Sequence, residues 1–189
     1  METLIIFIIA FGLAMDCFAI AITNSAVSGA VHPGVPLKTS LVFAVSHLLL
    51  LMLGFWAGER FLPVLQDYGQ WIAVSVLIVV GLKMISDAIR RRPESKVFDI
   101  NNTRVIVLLS LAAAMDAFLC GLALGILGAG LTTAALFVGL TVWLFTLSGL
   151  AGGHRLGLGF VKPTAIFGGV CMLIAAIHYL LPLVLAAGI

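Results

Sequence analysis

The phrase Ala14-Met15-Asp16-Cys17-Phe18 returns as Ala114-Met115-Asp116-Ala117-Phe118, one hundred residues further along the chain. On both sides of each aspartate run roughly ten residues of the kind that fills a membrane-spanning helix. A carboxylate at bilayer depth costs about 3 kcal/mol on insertion scales, so it persists only where something compensates it. Two such residues in matched phrases point to one polar site shared by two related parts of the chain.

The composition agrees with a membrane setting. Of 189 residues, 62% are hydrophobic and only 10% charged, with a mean hydropathy of +1.25. A soluble domain carries about 25% charged residues. The formal net charge of +2 is far from the basic footprint of a nucleic-acid partner, which leaves the lipid bilayer as the main surrounding. Cys17, Cys120 and Cys171 are widely spaced within apolar runs and form no CxxC pair, so no disulfide framework is expected. Met1-Glu2-Thr3 lacks the basic start of a signal peptide, and Asp16 interrupts the apolar stretch. The first span therefore reads as permanent.

Apolar runs long enough to cross the hydrocarbon core predict an all-α, polytopic fold with six spans near 4–24, 39–58, 70–89, 104–127, 132–153 and 164–187. Pro33, Pro36, Pro63, Pro93 and Pro163 fall between spans or at a span's first turn, while Pro182 lies near the end of the last. Connections one, three and five hold Lys38; Arg90, Arg91, Arg92, Lys96 and Arg104; and Arg155 and Lys162. Connections two and four hold only Arg60. Cytoplasmic loops carry the positive excess, so both termini are expected outside.

Residues 90–103 form the one substantial polar linker, separating a first three-helix repeat (1–89) from a second (104–189). Because each half has three spans, the second enters the membrane inverted. A further echo supports duplication: Gly54-Phe55-Trp56-Ala57-Gly58-Glu59-Arg60 against Gly149-Leu150-Ala151-Gly152-Gly153-His154-Arg155. Inverted repeats of this kind carry substrate sites at the bilayer midplane between the halves. The GxxxG pairs Gly54/Gly58 and Gly149/Gly153 permit close helix contact, expected here within the monomer, although a homo-oligomer stays open.

Asp16 and Asp116 would repel one another at one low-dielectric site, and a divalent cation removes that repulsion. Carboxylate, carbonyl and water suit Mn²⁺ or Mg²⁺, and an imidazole tilts the preference towards transition metals. His47, near the centre of span two, is the candidate third ligand, or else a proton carrier or a plain hydrogen-bonding partner. His178 in span six is a weaker candidate. Asp87 follows Lys83 by four residues, and the pair is expected to neutralise itself or latch a gate, snorkelling to the cytoplasmic end. Asn24 reads as a helix-end cap or an exit lining. Cys120 shares a face with Asp116, as a small apolar filler or a soft-metal ligand.

The stretches FGLAMDCFA (11–19), the central histidine followed by Gly54, WIAVSVLIVVGLKMI (71–85), LAAAMDAFLCGLALG (111–125) and FGGVCMLIAAIHYL (167–180) resemble the bacterial manganese efflux pump family of the MntP type. That family sits within a wider lysine-exporter-like superfamily, and the resemblance covers essentially the whole chain. It implies a multi-pass transporter of the bacterial plasma (inner) membrane, with no prosthetic group and Mn²⁺ as transported substrate. The intramembrane acidic positions of the family correspond to Asp16 and Asp116. Glutamate and histidine both occur in the family where this chain has His47. Cys17 departs from the usual alanine and Cys120 is less typical, which leaves metal preference open. No GxxxxGK[ST] motif is present, so an ion gradient or the membrane potential would supply energy. An exporter of another divalent cation or of a small amino acid, and a non-transporting membrane scaffold, are the competing readings. No Ser/His dyad or HExxH motif points to an enzyme.

Overall fold

The computed structural model describes residues 2–28, 34–65, 68–90 and 102–186, and every regular element among them is helical. Six helical stretches are long and apolar enough to cross a membrane. They are α1 (Glu2–Ser28), α2 (Gly34–Leu65), α3 (Gly69–Arg90), the pair α4 (Thr103–Ala113) and α5 (Met115–Ile126), α6 (Leu131–Leu156), and α7 (Val161–Ala186), which follows a 3-10 turn at Leu158–Phe160. Most of the polar linker, with Arg91, Arg92 and Lys96, lies outside the described residues, as do Pro33 and Pro93.

The helices outrun the apolar runs in places. α2 begins at Gly34 and ends at Leu65, so Lys38, Glu59 and Arg60 extend it rather than stop it. An apolar run measures the hydrocarbon thickness, whereas a helix continues wherever its backbone bonds are made. Asn102 caps α4 by accepting a hydrogen bond from the Arg104 amide at 3.0 Å. Lys38 at the start of α2 donates to Thr103 at the start of α4 across 2.8 Å, so these two helix beginnings lie at one end of the bundle. α5 ends on Gly128 at φ +68°. There the Ala129 amide donates to the Leu124 carbonyl and the Gly128 amide to Gly125, a left-handed cap that needs glycine.

The fourth span is divided in two at Ala114, directly before the repeated Met-Asp. Nothing in the surrounding Leu111–Phe118 is a glycine or proline, so the sequence carries no signal for this break.

Close packing follows a definite plan. α1 lies on α6, α2 on α5, α3 on α7, and then α1 on α7, α2 on α6 and α3 on α5. Every extensive interface between separate spans thus joins a helix of the first half to one of the second. Glycines make the tightest of these approaches. A Cβ on Gly54 would meet the Phe118 carbonyl oxygen, and one on Gly121 would meet that of Leu51. On the other side of the bundle, a Cβ on Gly149 would meet Phe18 and Ala21, and one on Gly153 would meet Ile22 and Ser25. The GxxxG glycines therefore serve packing inside the monomer, where dispersion between close backbones replaces the hydrophobic effect that lipid cannot supply.

Candidate metal site

Register across the helix pairs fixes the depth of each polar residue. Thr141 on α6 donates to the Ala10 carbonyl on α1, Gly149 abuts Phe18, and Gly153 abuts Ile22. Each pairing has the same offset (141 − 10, 149 − 18 and 153 − 22 all give 131), so α1 and α6 run parallel and Thr146 stands opposite Met15, beside Asp16. Thr146 is 1% exposed, and its hydroxyl has no hydrogen-bond partner among the described residues. A buried, unpaired hydroxyl is costly and calls for an explanation.

His47 connects that level to the other half. Its Nδ1 is 2.9 Å from the Phe43 carbonyl and its Nε2 is 3.2 Å from the Cys17 sulfur. A carbonyl only accepts, so Nδ1 carries the proton and Nε2 presents its lone pair towards the thiol, which donates. A carbonyl-anchored ring is the arrangement of metal-ligating histidines, and here its other nitrogen meets the Cys17 thiol. The side chain is 1% exposed, and Cys17 adjoins Asp16. Along the α2–α5 interface, Leu51 meets Gly121 and Gly58 meets Leu122. Those offsets of 70 and 64 put His47 beside residues 111–117, which include the Ala114 break and Asp116.

Asp116 itself is 9% exposed, in the first turn of α5, and its Oδ1 accepts from the Lys83 ammonium at 2.5 Å. This corrects the expectation that Lys83 would be taken up by Asp87 within α3. The i, i+4 rule sees only one helix, whereas α3 packs on α5 and a buried carboxylate is the stronger attractor. Lys83 stands seven residues from the end of α3 at Arg90.

The other sequence candidates are more dispersed. The Asn24 side chain is buried and donates to the Ile20 carbonyl at 3.0 Å, two turns along α1 from Asp16. The Cys120 sulfur is buried 4.0 Å from that of Met172, consistent with a filler. His178 is exposed on α7 beside Tyr179. Asp16 is half-buried in α1 and Asp87 half-buried near the end of α3. Among the described residues, no three His, Cys, Asp or Glu side chains are gathered closely enough to hold a metal ion. Asp16, His47 and Asp116 thus share a depth without forming a closed cage. Thr146 joins that level unannounced, because one threonine in an apolar helix carries no sequence signal, whereas Cys17 stands out only as a departure from the family's usual alanine.

Comparison with known proteins bears on the cargo. The family profile described as "Putative manganese efflux pump" matches residues 30–180. A protein of that name from Methanoregula boonei is 35% identical over 185 residues, 95% of this chain and 97% of its own. Its namesake from Desulfitobacterium hafniense is 31% identical, covering 96% of this chain and 95% of its own. One from Methanosphaera stadtmanae is 30% identical over 93% and 97% of the two chains. No solved structure matches the chain.

Proposed function

The chain belongs to the manganese efflux pump family, whose members are multi-pass transporters rather than enzymes, and from that premise we propose that it exports Mn²⁺ through a midplane site formed by Asp16, Asp116 and His47. The observation that carries this reading is the common depth of the three residues, tied together by the Cys17–His47 contact and the α2–α5 register. Two carboxylates, one imidazole and water make an open, hard-leaning donor set that can release its ion.

Both termini outside the bacterial inner membrane is the orientation that the Lys and Arg distribution supports. The two halves act as inverted repeats. In support, Gly54 meets Phe118 where Gly149 meets Phe18, and Gly58 meets Leu122 where Gly153 meets Ile22. Each contact reproduces the other at a shift of 95 residues on one helix and 100 on its partner. Because the extensive interfaces cross between halves, the moving parts in alternating access are the cross-half pairs α1–α6 and α2–α5, held by their glycines. Among the described residues the spans of one half pack little on one another, which argues against either half rocking as one body.

The test is intracellular Mn²⁺ in exporter-deficient cells expressing wild type, Asp16→Asn or Asp116→Asn. Wild type alone should lower Mn²⁺, by several-fold. Equal rescue by all three rejects the assigned ligands, and protection against an excess amino acid instead of Mn²⁺ rejects the cargo.

A further inference from the structure

We propose that α6 carries a water-binding site at mid-span, built from the indole N–H of Trp143 and the hydroxyl of Thr146. Both polar atoms are buried and have no hydrogen-bond partner among the described residues. A third such atom, the Thr39 hydroxyl, belongs to the first turns of α2 and stands apart. The water site goes beyond the export reading, because it does not depend on which cation is carried.

Depth makes the pair unusual. Trp143 lies twelve residues from the start of α6 at Leu131 and thirteen from its end at Leu156 (143 − 131 and 156 − 143), so about 18 Å of helix lies on its nearer side. Membrane tryptophans collect at the interfaces, where headgroups and water take the indole N–H. At mid-span neither is in reach, and an unpaired N–H in lipid surroundings is costly. At the 95-residue shift that relates Gly149 to Gly54, the counterparts of Trp143 and Thr146 are Leu48 and Leu51. The first half fills these positions with apolar side chains, so packing alone does not call for a polar pair.

The two groups share a face. Gly139, Trp143 and Thr146 follow one stripe of α6 at i, i+4 and i+7, and a Cβ on Gly139 would meet Leu48 of α2, next to His47. Side chains three residues apart on a helix have Cβ atoms about 5–6 Å apart, a gap that one water spans with two hydrogen bonds of about 2.9 Å. Charge then selects the occupant. An indole N–H can only donate, which disfavours a bare cation. Asp16 adjoins Met15, which stands opposite Thr146, and its carboxylate disfavours an anion. A neutral water accepts from Trp143 and shares a second bond with Thr146, which gives it the two partners that a buried water needs.

The experiment uses the full-length protein in lipid nanodiscs free of divalent metal, so its outcome leaves the Mn²⁺ reading to its own test. A brief X-ray pulse turns bound waters into hydroxyl radicals that oxidise the nearest side chain, and mass spectrometry reads the added oxygen. Met172, 0% exposed within the apolar core, is the dry reference. The expected result is oxidation of Trp143 several-fold above Met172 in wild type and in Thr146→Ser, and no more than Met172 in Thr146→Val. Trp143 at the Met172 level in wild type overturns the site. Equal oxidation of Trp143 in wild type and Thr146→Val overturns it too, since Thr146 would then hold no water. A serine variant that matches valine removes the hydroxyl from the site and overturns it as well. A rise in wild-type labelling when sulfate replaces chloride assigns the position to an anion and overturns the water.

Discussion

His47 and Cys17, from helices that otherwise touch little, meet at 3.2 Å between Nε2 and sulfur. The Phe43 carbonyl fixes the tautomer that turns the Nε2 lone pair towards the thiol. This contact sets an imidazole nitrogen and a sulfur, two softer donors, one residue along α1 from Asp16. Soft ligands favour Zn²⁺ and Cd²⁺ over Mn²⁺.

Cys17→Ala should therefore change selectivity more than transport. Mn²⁺ export into everted vesicles is expected to stay within about twofold of wild type, while the Cd²⁺ concentration giving half-inhibition rises about tenfold, a 1.4 kcal/mol change in affinity. Identical Cd²⁺ sensitivity in the two proteins would show that the sulfur only fills space.

Backbone contact at Gly54 leads to a stability prediction. A Cβ there would run into the Phe118 carbonyl oxygen, which is backbone and cannot turn aside. Overpacking of this kind costs about 1–3 kcal/mol. Gly54→Ala should unfold several degrees below wild type in detergent, whereas Gly152→Ala, with no atom within 4 Å of the added carbon, should not. Equal melting of the two variants would contradict the α2–α5 packing.

Much of this architecture is legible in the sequence because lipid imposes simple rules. Span length is set by one helix against its solvent, and all six expected spans find their helices. The doubled Met-Asp phrase likewise marks the stretches that hold Cys17, in contact with His47, and Asp116, bonded to Lys83. Partners across helices are a different matter. Lys83 has Asp87 at an inviting local spacing but bonds Asp116, since only the α3–α5 packing decides which carboxylate is within reach. The Cys17–His47 contact and the orphaned Thr146 hydroxyl were hidden for the same reason, as was the break at Ala114, which no helix-breaking residue marks.

Ser25 supplies a structural test of the α1–α6 pair. Its buried hydroxyl donates to the Leu150 carbonyl at 2.9 Å and accepts from the His154 amide at 3.1 Å, clasping one rung of the neighbouring helix. Removing both bonds in a dry interface should cost about 1–3 kcal/mol. Ser25→Ala is expected to lower the melting temperature by several degrees, and Ser25→Thr to do so through crowding against Gly153, whose own Cβ position is only 2.9 Å from the Ser25 Cβ. An unaltered melting temperature for Ser25→Ala would mean that the clasp contributes nothing.

Thr146 separates a structural role from a functional one. Among the described residues its hydroxyl has no partner, so exchanging it for a methyl of nearly the same shape removes a desolvation penalty and loses no bond there. On packing grounds alone, Thr146→Val should be as stable as wild type or more so. The hydroxyl nevertheless stands opposite Met15, next to Asp16, where a hydrated cation passing the carboxylate would meet an oxygen. Mn²⁺ export by Thr146→Val should accordingly fall several-fold while its melting temperature holds or rises, and Thr146→Ser should recover most of the export. A stable valine variant that exports at the wild-type rate would assign the hydroxyl no part in transport.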